Sequence, residues 1–122
     1  MYGWIYNEGK ELGLEHFGSV NFTCGSYEWD TISVLVDKTG ETPKFYWAHE
    51  SGCSCDGPLE DIGNLNDFHG SGNFWELSDY IRDEVEEHGY WDDERPREDV
   101  EAEAVGLLSG AYQLHRSMGQ QS

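Results

Sequence analysis

Two β-branched and aromatic runs joined by a polar connection constrain this chain more than any other feature. Trp29, Ile32, Val34 and Val36, set against Thr31, Ser33 and Asp37, form one run, and Phe45, Tyr46, Trp47 and Ala48 form the next. Residues of these types fit a pleated, half-buried surface, so the pair predicts a β-hairpin. The connection from Asp37 to Lys44 contains Gly40, available for a positive φ, and Pro43, where the chain re-enters a strand; a loop longer than two residues is expected. The stretch that follows, His49 to Pro58, has no apolar periodicity and is dense in turn residues. It reads as an ordered loop carrying chemistry or a staple.

Ahead of the hairpin, Tyr2 to Tyr6 reads as a short strand and Asn7-Glu8-Gly9 as a turn. Leu12, Leu14 and Phe17 suggest a second strand, and Val20 and Phe22 a further alternating pair. Behind the hairpin, Leu59 to Gly72 is broken by glycines and asparagines and reads as a connector. Asn73 to His88 carries the clearest helix signal. Asn73 is placed to cap it, Glu76 to close a capping box, and Gly89 to end it. At about 100° per residue, Phe74, Leu77, Ile81 and Val85 share one face, and Glu76, Asp79, Asp83, Glu86 and Glu87 share the other. A second helix is predicted to begin between Asp93 and Arg97, with Pro96 in its first turn and Glu98 and Asp99 complementing its N-terminal dipole. Val100, Ala104, Leu107, Ala111 and Leu114 repeat along it at helical spacing, and Gly119 to Ser122 reads as a polar tail. Gly106 and Gly110, four apart, either permit close approach of a neighbour or are weak points in a tolerant helix.

Together these elements predict one α+β domain over residues 1–122: strands and turns to residue 61, mostly helix over 73–118. The sheet is antiparallel, of three to five strands, with two C-terminal helices packed on one face. The aromatic content of 14% separates this acidic chain from disordered segments, which lack the large apolar groups that offset chain entropy. No apolar run approaches the ~20 residues that span a bilayer, and the N-terminus lacks a basic region followed by an apolar stretch. The expectation is a cytoplasmic protein without membrane contact.

A formal net charge of -18 repels nucleic acid and anionic lipid heads and favours basic partners. The charge is uneven: Glu76 to Glu103 holds 13 acidic and 3 basic residues. Carboxylates at Glu76, Asp79, Asp83 and Glu86 recur about every 4.5 to 6 Å along a helix. A single DNA strand presents a charge about every 3.4 Å, a comparable density. One reading is therefore an interface for a basic, nucleic-acid-binding protein, with Glu87 and the following Asp92 and Asp93 extending it. The other is a solvated helix face that serves solubility alone.

Three cysteines, an odd number, fit reduced thiols or a metal site better than a disulfide framework. Cys53 and Cys55, with Cys24 and His49 or His69, supply the soft ligands zinc prefers. A single residue between the two cysteines is tighter spacing than the usual two to four of structural zinc sites. The alternative is a turn or short strand in which one thiol packs as a small hydrophobe. No nucleophile elbow, phosphate-cradling glycine loop, H-E-x-x-H or dinucleotide fingerprint is present, so the chain reads as a binding protein rather than an enzyme.

The residues Tyr27-Glu28-Trp29-Asp30, Tyr46-Trp47-Ala48, Ser51-Gly52-Cys53-Ser54-Cys55, Pro58 and Glu60-Asp61 resemble the core of a family of small uncharacterised proteins of bacteriophages that infect actinobacteria. Where members of that family carry proline after the second cysteine and an aromatic before the closing Glu-Asp, this chain has Asp56 and Leu59. The resemblance implies a phage origin and a host-directed or accessory role, in the host cytoplasm. The functional expectation is an acidic protein that inhibits or modulates a basic host protein, as a nucleic-acid mimic; the alternative is a small zinc-stabilised accessory domain.

Overall fold

A computed structural model describes residues 13–22, 28–53, 62, 65–88 and 96–119. The two runs at the centre of the sequence form β2 (Glu28–Asp37) and β3 (Lys44–Cys53), which pair antiparallel in unbroken register from Asp37↔Lys44 to Glu28↔Cys53. Their loop is longer than two residues, as expected, but Gly40 is not in the left-handed region. The Asp37 carboxylate organises the turn instead, accepting from the Thr39 amide at 2.8 Å and the Thr39 hydroxyl at 2.6 Å. β3 extends five residues beyond Ala48, so His49 to Cys53 is strand rather than loop. These polar residues carry no apolar alternation; their extended conformation comes from the ladder to β2.

β1 (Leu14–Asn21) flanks β2, and β4 (Gly70–Gly72) flanks β3, giving a four-stranded antiparallel sheet in the order β1-β2-β3-β4. β1 is one strand where the sequence suggested two, because its register shifts between His16 and Gly18. The bulge at Phe17 switches which parity faces which side: Leu14 packs on one face of the sheet, Val20 and Phe22 on the other. β4 lies within the stretch read as a connector, beside a 3-10 turn at Leu65–Asp67. Two of its three residues are glycine for a packing reason. A Cβ on Gly70 would stand 2.5 Å from the Trp47 indole nitrogen. Gly70→Ala is accordingly expected to displace Trp47 and lower stability by about 1 to 3 kcal/mol, the usual cost of overpacking, in a denaturant titration.

α1 (Phe74–Glu87) and α2 (Arg97–Gly119) follow. Phe74, Leu77, Ile81 and Val85 of α1 and Val100, Ala104 and Ala111 of α2 are buried with Val20, Phe22, Ile32, Val34, Val36, Phe45 and Trp47 in one core on the helical side of the sheet. Leu107 and Leu114 pack at its margin. Pro96 immediately precedes α2 and its carbonyl accepts from the amides of Asp99 and Val100. α2 runs through Gly119, one residue into the expected tail. On the opposite face, Leu14, Leu35, Tyr46 and Ala48 meet Ile62 and Phe68 in a second core. β2 is thus buried on both sides, which is why Ile32 to Val36 is almost continuously apolar. The expected strand at Tyr2–Tyr6, the turn after it and the Gly89 cap lie outside the described residues, as does the Trp29 side chain.

Candidate interaction surface

α1 is fixed at its start by the anticipated capping box: Asn73 Oδ1 accepts from the Glu76 amide at 3.0 Å, and Glu76 Oε1 accepts from the Asn73 amide at 3.2 Å. With the buried stripe turned to the sheet, Glu76, Asp79, Asp83, Glu86 and Glu87 are all exposed. Their roles differ. Glu76 is committed to the cap. Asp79 stands 3.5 Å from Arg82, a pair so open to water that it contributes little. Asp83, Glu86 and Glu87 have no side-chain ion pair within 4.0 Å among the described residues. Asp92 and Asp93, expected to extend the stripe, lie outside the described residues.

α2 contributes further carboxylates. Glu98, Asp99 and Glu101 are exposed over its first turns, and Arg97 donates to Glu101 at 2.9 Å. Glu103 turns the other way, where its Oε1 accepts from the Asn21 amide at 2.6 Å and closes the edge of β1. Gly106 and Gly110 do not mediate a tight approach: a Cβ on Gly106 would meet nothing within 4 Å, and one on Gly110 would only touch Phe17 at 3.6 Å. The close approach falls on the sheet instead, where a Cβ on Gly18 would stand 3.0 Å from Leu107.

Between the helices runs a groove of about 270 Å3, with Val85, Ala104, Val105 and Leu108 along it and Arg82, Glu86, Arg97 and Glu101 at its margins. Trp75, Tyr112 and His115 lie together at one end of the helix pair, with Trp75 and Tyr112 centroids 6.2 Å apart. Trp75 is 57% exposed and Val105 63%.

Of the expected metal ligands, Cys24 and Cys55 lie outside the described residues, and Cys53 is placed only by its backbone at the end of β3. His49 is placed in full. Its Nε2 lies 2.5 Å from Asp30 Oδ1 and its Nδ1 3.1 Å from Glu84 Oε2. A neutral imidazole donates from one nitrogen only, so both contacts are hydrogen bonds when both nitrogens carry protons. The clamp ties β2, β3 and α1 together, and a metal at His49 would have to displace one carboxylate. The Phe22 ring stacks on His49 at 5.2 Å and on His88 at 4.6 Å. His69 Nδ1 accepts from the His49 amide at 2.8 Å, so its ring is tied to the backbone of β3.

Glu84 is the residue that sequence reasoning missed. Seven residues from Leu77, it projects within about 20° of the buried stripe, and a carboxylate there signals a buried or partly buried partner. Glu84 also acts on Tyr80, which stacks on Trp47 at 5.3 Å. Burial, with the Glu84 charge adding to it, pushes the Tyr80 phenol up from 10.0 to about 12. The neutral phenol is the form the fold favours, so this contribution to stability is complete below pH 10 and is lost as pH rises through about 12. Tyr80→Phe is expected to flatten the fall in melting temperature over that window relative to the parent chain.

None of the helices among the described residues is long and apolar enough to cross a membrane. Residues 4–108 match the family described as "Domain of unknown function (DUF7574)", a match over most of the chain, and the chain belongs to that family. Neither a curated protein nor a solved structure gives a significant match.

Proposed function

We propose that this DUF7574 chain is an acidic interaction protein that engages a basic partner through the outer surface of α1 and α2. On the phage-type reading of its sequence the partner is a host protein that handles nucleic acid, and the chain inhibits or modulates it by occupying the surface where the polyanion would lie. The observation that carries this reading is the company the carboxylates keep. A face that serves solubility alone has no use for a tryptophan, yet Trp75, 57% exposed, sits one turn ahead of Asp79 and on the same side of α1. Half-exposed tryptophan beside charged groups is the composition of an interface, where a few aromatic anchors carry most of the binding energy. The net charge supplies steering: a field of this sign draws a basic partner in and holds nucleic acid off.

Capture from host lysate on the immobilised chain tests the proposal, with metal analysis of the same preparation. A basic protein retained at low salt and released at high salt supports it, because exposed ion pairs are screened over about 8 Å at 0.15 M ionic strength. Nothing retained at either salt, together with stoichiometric zinc in protein purified without added metal, would leave the zinc-stabilised accessory domain as the better account.

A further inference from the structure

We infer that the outer edge of β1, with the groove between it and α2, is a docking site for an extended segment of a partner chain, which joins the four-stranded sheet as one more strand. The inference goes beyond the function proposed above. By the helical period this surface lies on the opposite side of α2 from α1, and it stands whether or not the acidic face binds.

β1 is the outermost strand of the sheet, and its ladder fixes which backbone groups are spent. The Phe22 amide donates to the Asp30 carbonyl at 2.8 Å. By antiparallel alternation, the β1 residues opposite Ile32, Val34 and Val36 then bond to β2, while those opposite Thr31, Ser33, Leu35 and Asp37 turn their amide and carbonyl outward. The outward residues are Asn21, Ser19, His16 and Leu14. Glu103 accepts from the Asn21 amide at 2.6 Å from that same side. Among the described residues no strand lies beyond β1, and no partner meets the outward backbone groups of Ser19, His16 and Leu14. Backbone donors and acceptors spaced along an edge are paired in series only by another extended chain.

The groove selects the side chains of that segment. It holds about 370 Å3, with Phe17, Gly18 and Ser19 of β1 on one side and Glu103, Gly106 and Leu107 of α2 on the other. Directly paired residues project to the same face of a sheet, and Gly18 faces Leu107, so a residue added opposite Gly18 points its side chain into the groove. The walls there are mostly apolar, and an apolar side chain fits them. Glu103 is the one charged residue in the lining, with no cation beside it, so the groove carries a single sign of charge. The occupant is thus an extended segment with an apolar residue opposite Gly18 and a lysine or arginine near Glu103; its backbone supplies affinity and these two side chains supply specificity. A second copy's β1 fits poorly, because Leu14–Asn21 carries Glu15 and neither lysine nor arginine.

The test uses the whole chain and labelled peptides of eight residues, the length of β1, in fluorescence anisotropy. In the parent peptide valine and threonine alternate around a central leucine, with one arginine two residues from it. Two further peptides keep every side chain and carry N-methyl groups on alternate amides, one on the odd set and one on the even, so that only one of them loses the amides that face β1. That peptide is expected to bind at least about tenfold more weakly than the parent, a difference of ~1.4 kcal/mol, and the other to bind like it. Ser19→Pro removes an outward amide that β2 does not use, at an edge position where proline is tolerated. Gly106→Leu fills the groove from an exposed helical site where leucine is the better helix former. Each variant is expected to weaken the parent peptide at least about tenfold without lowering the thermal melt; should Ser19→Pro fail to fold, Gly106→Leu decides. Equal binding of all three peptides, unchanged binding to Gly106→Leu, or no binding to the parent chain would overturn the inference and leave the acidic face of α1 untouched. A dimer in light scattering that Ser19→Pro dissociates would assign the edge to a second copy and refute it.

Discussion

Ile81→Ala is expected to lower stability by about 2 to 5 kcal/mol, the range for deleting a large buried aliphatic side chain. Ile81 is completely buried in the middle of α1, within the core that joins that helix to Ile32, Val34 and Phe45 of the sheet. Three forces act together there. The lost methyl and methylene groups forfeit their transfer free energy, the cavity forfeits dispersion contacts, and the rigid sheet beneath cannot move up to fill it. For a domain of this size the loss should appear as a fall on the order of 10 °C in melting temperature. Val105→Ala is the control. That side chain is 63% exposed, and its removal should shift stability by less than about 0.5 kcal/mol. Equal, small shifts for the two variants would mean that the helical side of the sheet is not the principal core.

Reversing Asp79, Asp83 and Glu86 to lysine should have the largest effect on binding and almost none on folding. Asp79 makes one open contact to Arg82, and no side-chain ion pair within 4.0 Å is seen for Asp83 or Glu86 among the described residues. The native fold therefore loses little. It can gain, since the reversal removes six units of negative charge from a chain at -18 and relieves self-repulsion. Binding to a basic partner should fall below detection, because attraction at three adjacent positions becomes repulsion. A melt that stays at the parent temperature while binding disappears is the expected pair of results. A solubilising surface predicts the reverse pairing: lower solubility and unchanged binding.

Much of this architecture was legible because it is local. The capping box at Asn73 and Glu76 and the apolar spacing of Phe74, Leu77, Ile81 and Val85 are written within one helix, and Ile32, Val34 and Val36 announce β2 in the same way. What could not be read depends on partners distant in sequence. His49 to Cys53 and Gly70 to Gly72 are strands because β2 and β3 offer them a ladder, although their side chains have no β preference. The bulge at Phe17 broke the alternation of β1, so one strand looked like two. The candidate surface divides along the same line. Its carboxylates stood out at helical spacing, whereas Val105 and Leu108 lie beside the buried stripe of α2 and only the placement of α1 shows that they border an open groove. The Asp30–His49–Glu84 clamp joins three elements, and Glu84 alone gave warning of it, as a carboxylate on the wrong side of its helix.

In the proposed function, the acidic surface of α1 and α2 takes the place of nucleic acid on a basic protein. A competition assay tests it most directly: the captured host protein is loaded with labelled DNA, and the parent chain and the Asp79, Asp83 and Glu86 reversal are titrated against the complex. The account predicts that the parent chain displaces the DNA, less effectively as salt is raised, and that the reversed chain, equally folded, does not. Displacement by the reversed chain at the same concentration as the parent would contradict it.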